Sequence, residues 1–512
     1  MTVIKIMLTS KRILLPTLLI LIFLFCACTD LKGDTSYIPS DTEVSLPEFS
    51  SASEAKRALV ALTDGDVKKS LYTDEWVQEY RALVSEVNSL VSSPPKDENE
   101  CISACASLYA RLSAHLSKAE LVRRDVPAVY IYTDKPIGRE EYVDAKVYII
   151  DTAASNRGDT VSDITIRVRG NSTASAEKKP YNIKFTEKTS VLGMPQGRKW
   201  CLIANHYDKT LIRNKLASDF AAICGGVPAL QNELCDVYLN DKLCGSYLLT
   251  QPVSDGSIDL DTKKGDFIVE RIIVLEGEND FYLCGDAGYV FDTPERQELS
   301  RGEQKEIIDF MKRVDDAIRR GNEDELKKLI DVDSFVSAYL IHELLKDCDM
   351  TTGSTYFYRK DGILYAGPIW DMDLSMGNVS RYYFQDKYHI YNNADGFGDK
   401  TGDSASGIWA QQEWFSSLMK KDFFYNAVKE KYSSLTDEIK NLYLSGGYID
   451  TLCDTYGASF SRNYNEAGWR IDIPYSDFED ETPRPTFEEN IAELKSWLSR
   501  RDAYLRDYFG IK

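Results

Sequence analysis

The spacing of hydrophobic and polar positions changes twice along the chain. Between residues 51 and 122, apolar residues recur every three to four positions. Ala55/Leu59/Leu62 and Val77/Tyr80/Leu83/Val84/Val87 each form one face, which predicts amphipathic helices. Ser92-Ser93-Pro94-Pro95 interrupts them, and 101–121 carries a third helical stretch. From Val126 the period shortens, and 128–132, 143–151, 164–169 and 178–185 read as strands. Residues 199–223 predict a strand, a loop and a helix starting at Asp208-Lys209-Thr210. A hairpin follows, 235–240 and 245–251 around Asn240-Asp241-Lys242, then a strand at 267–270. Helical spacing returns from Gln304, and 409–432, 435–444, 449–467 and 487–509 close the chain. Strands first and helices later predict an α+β chain of two lobes around a cleft.

Residues 335–378 interrupt this progression. The stretch opens as an apolar-periodic helix (Phe335, Tyr339, Leu340, Leu344) and breaks at Lys346-Asp347-Cys348-Asp349, where short acidic residues favour a loop. Two strands, 354–359 and 363–366, flank the turn Lys360-Asp361-Gly362. The second strand continues through Trp370 into Asp371-Met372-Asp373. A hairpin folds back on itself, so its ends can bring Asp347/Asp349 close to Asp371/Asp373. Clustered carboxylates without nearby cations repel one another, and they usually bind a metal or hold a proton. Metal-assisted phosphoryl transfer has this layout, with one loop Asp at the nucleophile and a later Asp on magnesium.

The opposite charge gathers upstream. Arg169-Gly170-Asn171-Ser172-Thr173 is a polar turn, and Arg167, Arg169, Lys178, Lys179 and Lys184 make this the most basic short region. Free N–H groups and hydroxyls of such a turn can hold phosphate oxygens, and a strand lysine behind it completes a phosphate-binding lobe. A hairpin with a solvated basic face is the plainer alternative. Arg213-Asn214, on the helix after Asp208, can position a carboxylate or a phosphate. Between Asn378 and about Gly407, a segment rich in Tyr, Asp and Gly predicts a long loop.

Composition and termini set the context. At 512 residues the chain exceeds one ordinary core. Lys5, Lys11 and Arg12 precede an apolar run over 13–25, too short to span a bilayer and shaped like a secretory signal. It leads into Cys26-Ala27-Cys28, which predicts lipoprotein processing with Cys28 as the lipidated N-terminus. Residues 1–28 are then a signal peptide, 29–50 a polar tether, 51–122 a three-helix module and 125–512 the main domain. The net charge of −20 deepens by three when residues 1–27 are removed. Such acidity excludes general nucleic-acid binding and leaves the lipid on Cys28 as the means of membrane attachment. The eleven cysteines include no CxxC pair, and the four histidines form no HxxH or HExxH pattern. Zinc ribbons, histidine-ligated metals and Ser-His-Asp triads are therefore disfavoured.

Several ordered segments resemble the CotH family of secreted, protein-kinase-like proteins, named for a bacterial spore coat component. They are VRGNSTASAEKKPYNIKF, WCLIANHYDKTLIRNKLASDFA, YLNDKLCGSYLLTQPV, LLKDCDMTTGSTYFYRKDGILYAGPIWDMDLSMGN, WFSSLMKKDFFYNAVKEKY and LKSWLSRRDAYLRDYF, together covering about residues 125–511. The resemblance implies a divergent two-lobed protein-kinase-like fold, with a strand-rich first lobe and a helical second lobe. It also implies phosphorylation of Ser or Thr on other proteins, using ATP and Mg²⁺ or Mn²⁺. Lys179, or its neighbour Lys178, resembles the phosphate-contacting lysine, and Arg169, Asn171 and Ser172 sit in the phosphate-turn motif. Asp349 matches the catalytic-loop carboxylate. Asp371 matches the magnesium-binding Asp, with Asp373 and Asp347 in support and Arg213 on the nucleotide side. Asp347 stands where the family commonly has Asn, and Gln251 where Glu is expected. Asp219 and Glu233 are the candidate acidic partners of the lysine.

The leading expectation is an exported, outward-facing, lipid-anchored protein kinase acting on basic or Ser-rich proteins. A non-catalytic surface or spore-coat scaffold with a kinase-like fold is the alternative. Paired carboxylates beside Trp370 also suit a glycoside hydrolase, which would need no metal.

Overall fold

A computed structural model describes residues 46–63, 67–155, 157–272, 282–284, 287–351, 353–380, 405–408, 410, 412–477 and 484–512. The expected signal peptide, most of the tether and most of the long loop after Asn378 lie outside these residues. The chain divides into two compact units, the first running to residue 65 and including Glu79–Lys118, the second comprising Asp66–Gln78 and Ala119–Lys512.

The first unit contains α1 (Ala52–Thr63), most of α2 (Asp74–Ser92) and α3 (Glu98–Ser117). Their apolar faces supply a core of Ala55, Leu59, Leu83, Val87, Cys105, Leu108 and Leu112. Asp97 caps α3 by accepting the Glu100 N–H at 2.9 Å. The unit is narrower than the 51–122 module read from the sequence. Leu71 packs with Ala128, Tyr130, Ile150 and Tyr238, and the Val122 N–H donates to the Leu71 carbonyl at 2.8 Å. Those contacts place 67–78 and 119–122 with the second unit.

The second unit begins with seven strands: β1 (Ala128–Tyr132), β2 (Val143–Ile150), β3 (Thr160–Val168), β4 (Tyr181–Thr189), β5 (Gly197–Ile203), β6 (Asn232–Leu239) and β7 (Lys242–Thr250). They close into a barrel in the order β1-β2-β3-β4-β5-β7-β6. The seam is the parallel pair of β1 with β6, Ala128 opposite Asp236. Closure removes both sheet edges and encloses Val129, Val147, Ile166, Ile183, Trp200, Val237 and Leu249. Asn240 and Asp241, at φ +48° and +63°, join β6 and β7 through the positive-φ pair that a tight hairpin needs. The sequence predicts these as strands, with a hairpin over 235–251; the closed barrel is an addition.

A second sheet, in the order β12-β11-β8-β10-β9, comprises β8 (Phe267–Ile272), β9 (Tyr282–Cys284), β10 (Ala287–Thr293), β11 (Thr355–Lys360) and β12 (Ile363–Ala366). The later helices are α4 (Arg213–Cys224), α5 (Arg301–Arg320), α6 (Glu323–Leu326), α7 (Val332–Leu345), α8 (Glu413–Leu418), α9 (Asp422–Ser434), α10 (Thr436–Tyr443), α11 (Tyr448–Asn465) and α12 (Phe487–Phe509), with α11 against β7 and β6 of the barrel. The expected helix over 409–432 is therefore two helices. The chain turns extended at Lys421 (φ −104°, ψ 124°), and Asp422 opens the second. The whole is a mixed α+β chain, strand-rich first and helix-rich later. No helix among the described residues is long and apolar enough to cross a membrane.

Candidate active site

The acidic stretch is built on α7. Every residue from Ser334 to Leu345 is buried, so this helix is core on all sides and not an amphipathic face. It ends at Lys346, whose left-handed backbone (φ 47°, ψ 60°) costs a non-glycine residue about 1 kcal/mol. Lys346 Nζ donates to the Ser406 carbonyl at 2.6 Å, which helps hold that turn. The chain after it runs beside the chain after β12. The Met376 N–H donates to Leu345 O at 2.7 Å and the Cys348 N–H to Leu374 O at 3.3 Å. These bonds bring Asp347/Asp349 alongside Asp371/Asp373.

Six further residues, directly or through one another, fix the second acidic pair and the loop that carries it. Asp371, at φ +62°, accepts a hydrogen bond from Ser354 Oγ at 3.3 Å. The Ser354 N–H donates to Glu270 Oε1 at 2.8 Å. Asn214 Oδ1 accepts the Met372 N–H at 2.7 Å, and Asn378 Nδ2 donates to Asp373 O at 2.7 Å. Arg213 Nε donates to Ser375 O at 3.1 Å and its terminal nitrogen to Met376 O at 3.4 Å. Asp208 organises the start of α4, accepting the Thr210 N–H at 2.8 Å and the Arg213 N–H at 2.9 Å, and it pairs with the Arg213 guanidinium. The DKTLIRN segment thus clamps the Asp371–Asn378 loop.

Charge is concentrated here. Burial pushes the Asp373 carboxyl well above the usual carboxylate range, and Asp371, Asp349 and Asp208 push it further. Burial also raises Asp371; the Arg169 guanidinium opposes the rise and Asp347 adds to it. Glu270 is raised by burial, with Asp292 and Asp371 as lesser causes. Asp347, buried, has a donor on each oxygen: His342 Nδ1 lies 2.8 Å from Oδ2, and the Asp349 N–H reaches Oδ1 at 3.1 Å. The extra charge at this position is met by those two donors.

The basic residues separate into two groups. Arg169 lies 5.0 Å from the Trp370 ring centroid and within electrostatic reach of Asp371. Gly170 is at φ +88°, and a Cβ there would stand 2.0 Å from Thr173 Oγ1, so only glycine fits the turn. Asn171 and Ser172 are exposed on it, with Asn171 Oδ1 accepting from Arg139 at 2.9 Å. Lys179 Nζ folds back onto this turn, 2.9 Å from Ala174 O. Lys178 and Arg213 depart from the expected nucleotide contacts. Lys178 is 2% exposed and donates to Ser246 O at 2.6 Å and Asn463 Oδ1 at 2.8 Å. Arg213 is engaged by Asp208 and the loop carbonyls, so both act as internal ties. The proposed acidic partners are also engaged elsewhere: Asp219 with Tyr448 and Lys215, Glu233 with Arg157 and Tyr456. Gln251 donates to Pro195 O at 2.9 Å.

Among the described residues, no three His, Cys, Asp or Glu side chains form a group that could hold a metal by themselves. Magnesium does not need one, since it commonly takes one or two carboxylates and completes its shell with water and substrate phosphates. Asp371 and Asp373 fit that donor set: both are raised by burial, and Asp371 adds to the rise of Asp373. Beside them lies a cavity of about 30 Å³ lined by Ile203, Asn214, Leu248, Thr250, Trp370 and Met372, room for about one water.

His342, Ser354 and Glu270 were not singled out from sequence. Glu270 is a lone acid in a predicted strand, and only the pairing of β11 with β8, Tyr356 opposite Glu270, places it beside Ser354. No curated protein sequence matches this chain. The family model described as CotH kinase protein matches residues 166–505, a span that includes both acidic pairs, the phosphate-turn residues and the clamp on α4. On this match the chain belongs to the CotH family.

Proposed function

We propose that this chain is an exported, lipid-anchored protein kinase, two-lobed in the manner of its family, that transfers the ATP γ-phosphate to Ser or Thr of other proteins. The observation that carries the reading is the convergence of Asp349, Asp371 and Asp373 on one buried site, in a chain of a kinase family. A divalent cation held by Asp371 and Asp373 would neutralise charge on the phosphates. Asp349, half-buried at the start of a short turn, accepts the substrate hydroxyl proton as the oxygen bonds to the γ-phosphorus and ADP leaves. Arg169 and the Gly170–Thr173 turn hold phosphate oxygens, and Lys179 adds a cation behind that turn. The protein substrate is basic or Ser-rich, complementary to a chain of net charge −20.

Labelled ATP with Mg²⁺ or Mn²⁺, applied to the full chain beside Asp371→Ala and Asp349→Ala, tests this reading. Label transfer in the parent and none in either variant supports it; absence of both transfer and metal-dependent ATP binding sinks it. The second reading, a non-catalytic scaffold at the cell surface or spore coat, is the one that absence of metal-dependent ATP binding would favour.

A further inference from the structure

We infer that His342 is a positioning residue for phosphoryl transfer, holding Asp349 in place through Asp347. The inference rests on the kinase reading for its consequence, though its contacts stand without it. His342 lies in the last turn of α7 and is 3% exposed, and Asp347 is 2% exposed. The two meet twice: ring Nδ1 is 2.8 Å from Asp347 Oδ2, and the Asp347 N–H donates to the His342 carbonyl at 3.1 Å. An ionised carboxylate only accepts, so the ring N–H is the donor in the side-chain contact.

The second oxygen of Asp347 holds the backbone of Asp349. Oδ1 accepts the Asp349 N–H at 3.1 Å, at the first residue of the short turn Asp349–Thr351. The imidazole orients the carboxylate, and the carboxylate fixes the backbone from which the Asp349 side chain projects. The left-handed bend at Lys346 ends the helical ladder, and beyond the Asp347 N–H bond to the His342 carbonyl the hold on the loop passes to the Asp347 side chain. A helix-end histidine buried against an aspartate five residues on is satisfied as structure alone, yet the Asp349 amide ties this pair to the proposed base. A hydroxyl and a carboxylate must come within about 3 Å for proton transfer, so loosening Asp349 slows the transfer without removing any nucleotide contact.

The test uses the full chain with His342→Leu, which removes the donor, and His342→Asn, whose amide N–H falls near the position of Nδ1. Hydrogen exchange at residue resolution over 346–351 reads the contact, and steady-state kinetics read its use. In His342→Leu the Asp349 amide is expected to exchange at least tenfold faster while α7 stays protected. Its kcat is expected to fall at least tenfold, with KM for ATP unchanged within twofold. His342→Asn restores most of both. Unchanged exchange in His342→Leu overturns the inference, as does an equal loss in both variants accompanied by loss of protection across α7. Should His342→Leu fail to fold, Asp347→Ala and His342→Asn supply the same two readouts. If the parent neither transfers phosphate nor binds ATP with metal, the kinase reading fails while the exchange data still decide whether His342 and Asp347 hold Asp349.

Discussion

Arg501, fully buried in the last helix, surrounds the end of Glu343 in the helix that leads to Asp349. Its Nε and one terminal nitrogen donate to the Glu343 carbonyl at 3.1 and 2.8 Å, and the guanidinium also pairs with the Glu343 carboxylate. Its other terminal nitrogen donates to Ala405 O at 2.9 Å, and the Ala410 N–H reaches Glu343 Oε2 at 2.9 Å. The C-terminal helix therefore anchors α7 and ties Ala405 to it.

Breaking that tie removes the counter-charge of a buried carboxylate, which costs about 3–5 kcal/mol. Arg501→Ala is expected to show this loss in chemical denaturation of the full chain. Arg501→Lys should recover little of it, since an ammonium cannot reproduce a planar fork with several fixed donors.

The two acidic pairs predict different failures. Asp349→Asn should lower kcat by roughly 10²–10⁴-fold while ATP binding persists. Asp371→Asn should abolish metal-dependent ATP binding as well as transfer. Equilibrium binding of a fluorescent ATP analogue, with and without Mg²⁺, separates the two outcomes.

Asp373 should make stability depend on pH and, if it holds a cation as proposed, on metal. Its folded carboxyl sits well above the ordinary value, chiefly from burial and then from Asp371, Asp349 and Asp208. The folded chain thus holds a proton that the unfolded chain has released. That contribution is complete below the ordinary carboxylate range and is lost as pH rises through the raised value. Asp373→Asn should therefore be more stable than the parent at pH 7 without metal, and the gap should close as pH falls into the ordinary carboxylate range. Magnesium at a hundredfold excess over its Kd should stabilise the parent by about 2.7 kcal/mol and the variant by much less. Thermal melts across pH, with Mg²⁺ or a chelator, check both parts.

Lys178 carries the opposite sign. Burial brings its ammonium down to about 7, so the folded chain gives up a proton that the unfolded chain keeps toward 10.5. Stability then rises with pH above about 7, by at most ~1.4 kcal/mol per unit. Lys178→Met lacks this term, so the parent should gain on it between pH 7 and 9.5. A flat difference between the two melting curves would count against a buried, titrating amine.

Much of this was legible in the sequence because the signals are local. Periodicity placed β1, α4, α11 and α12 to within a few residues, and Asn240-Asp241 and Asp361-Gly362 carry the positive-φ chemistry of their turns. The facing acidic pairs followed from a hairpin between them. The stretch 281–300 gave no reading, yet it holds the short strands β9 and β10, whose partners among the described residues are each other and β8.

Sequence alone therefore determined the element types, the turns, the acidic and basic clusters and the family resemblance, all carried by neighbours along the chain. Tertiary structure alone decided which groups remain available to chemistry. Barrel closure pairs β1 with a strand a hundred residues away, and it leaves adjacent Lys178 and Lys179 with opposite surroundings. Burial assigns Arg213 to loop carbonyls, brings Glu270 to Ser354 and gives Asp347 its two donors. Hydrogen-bond partners in a packed interior depend on which distant surfaces meet, and short-range pattern does not encode that meeting.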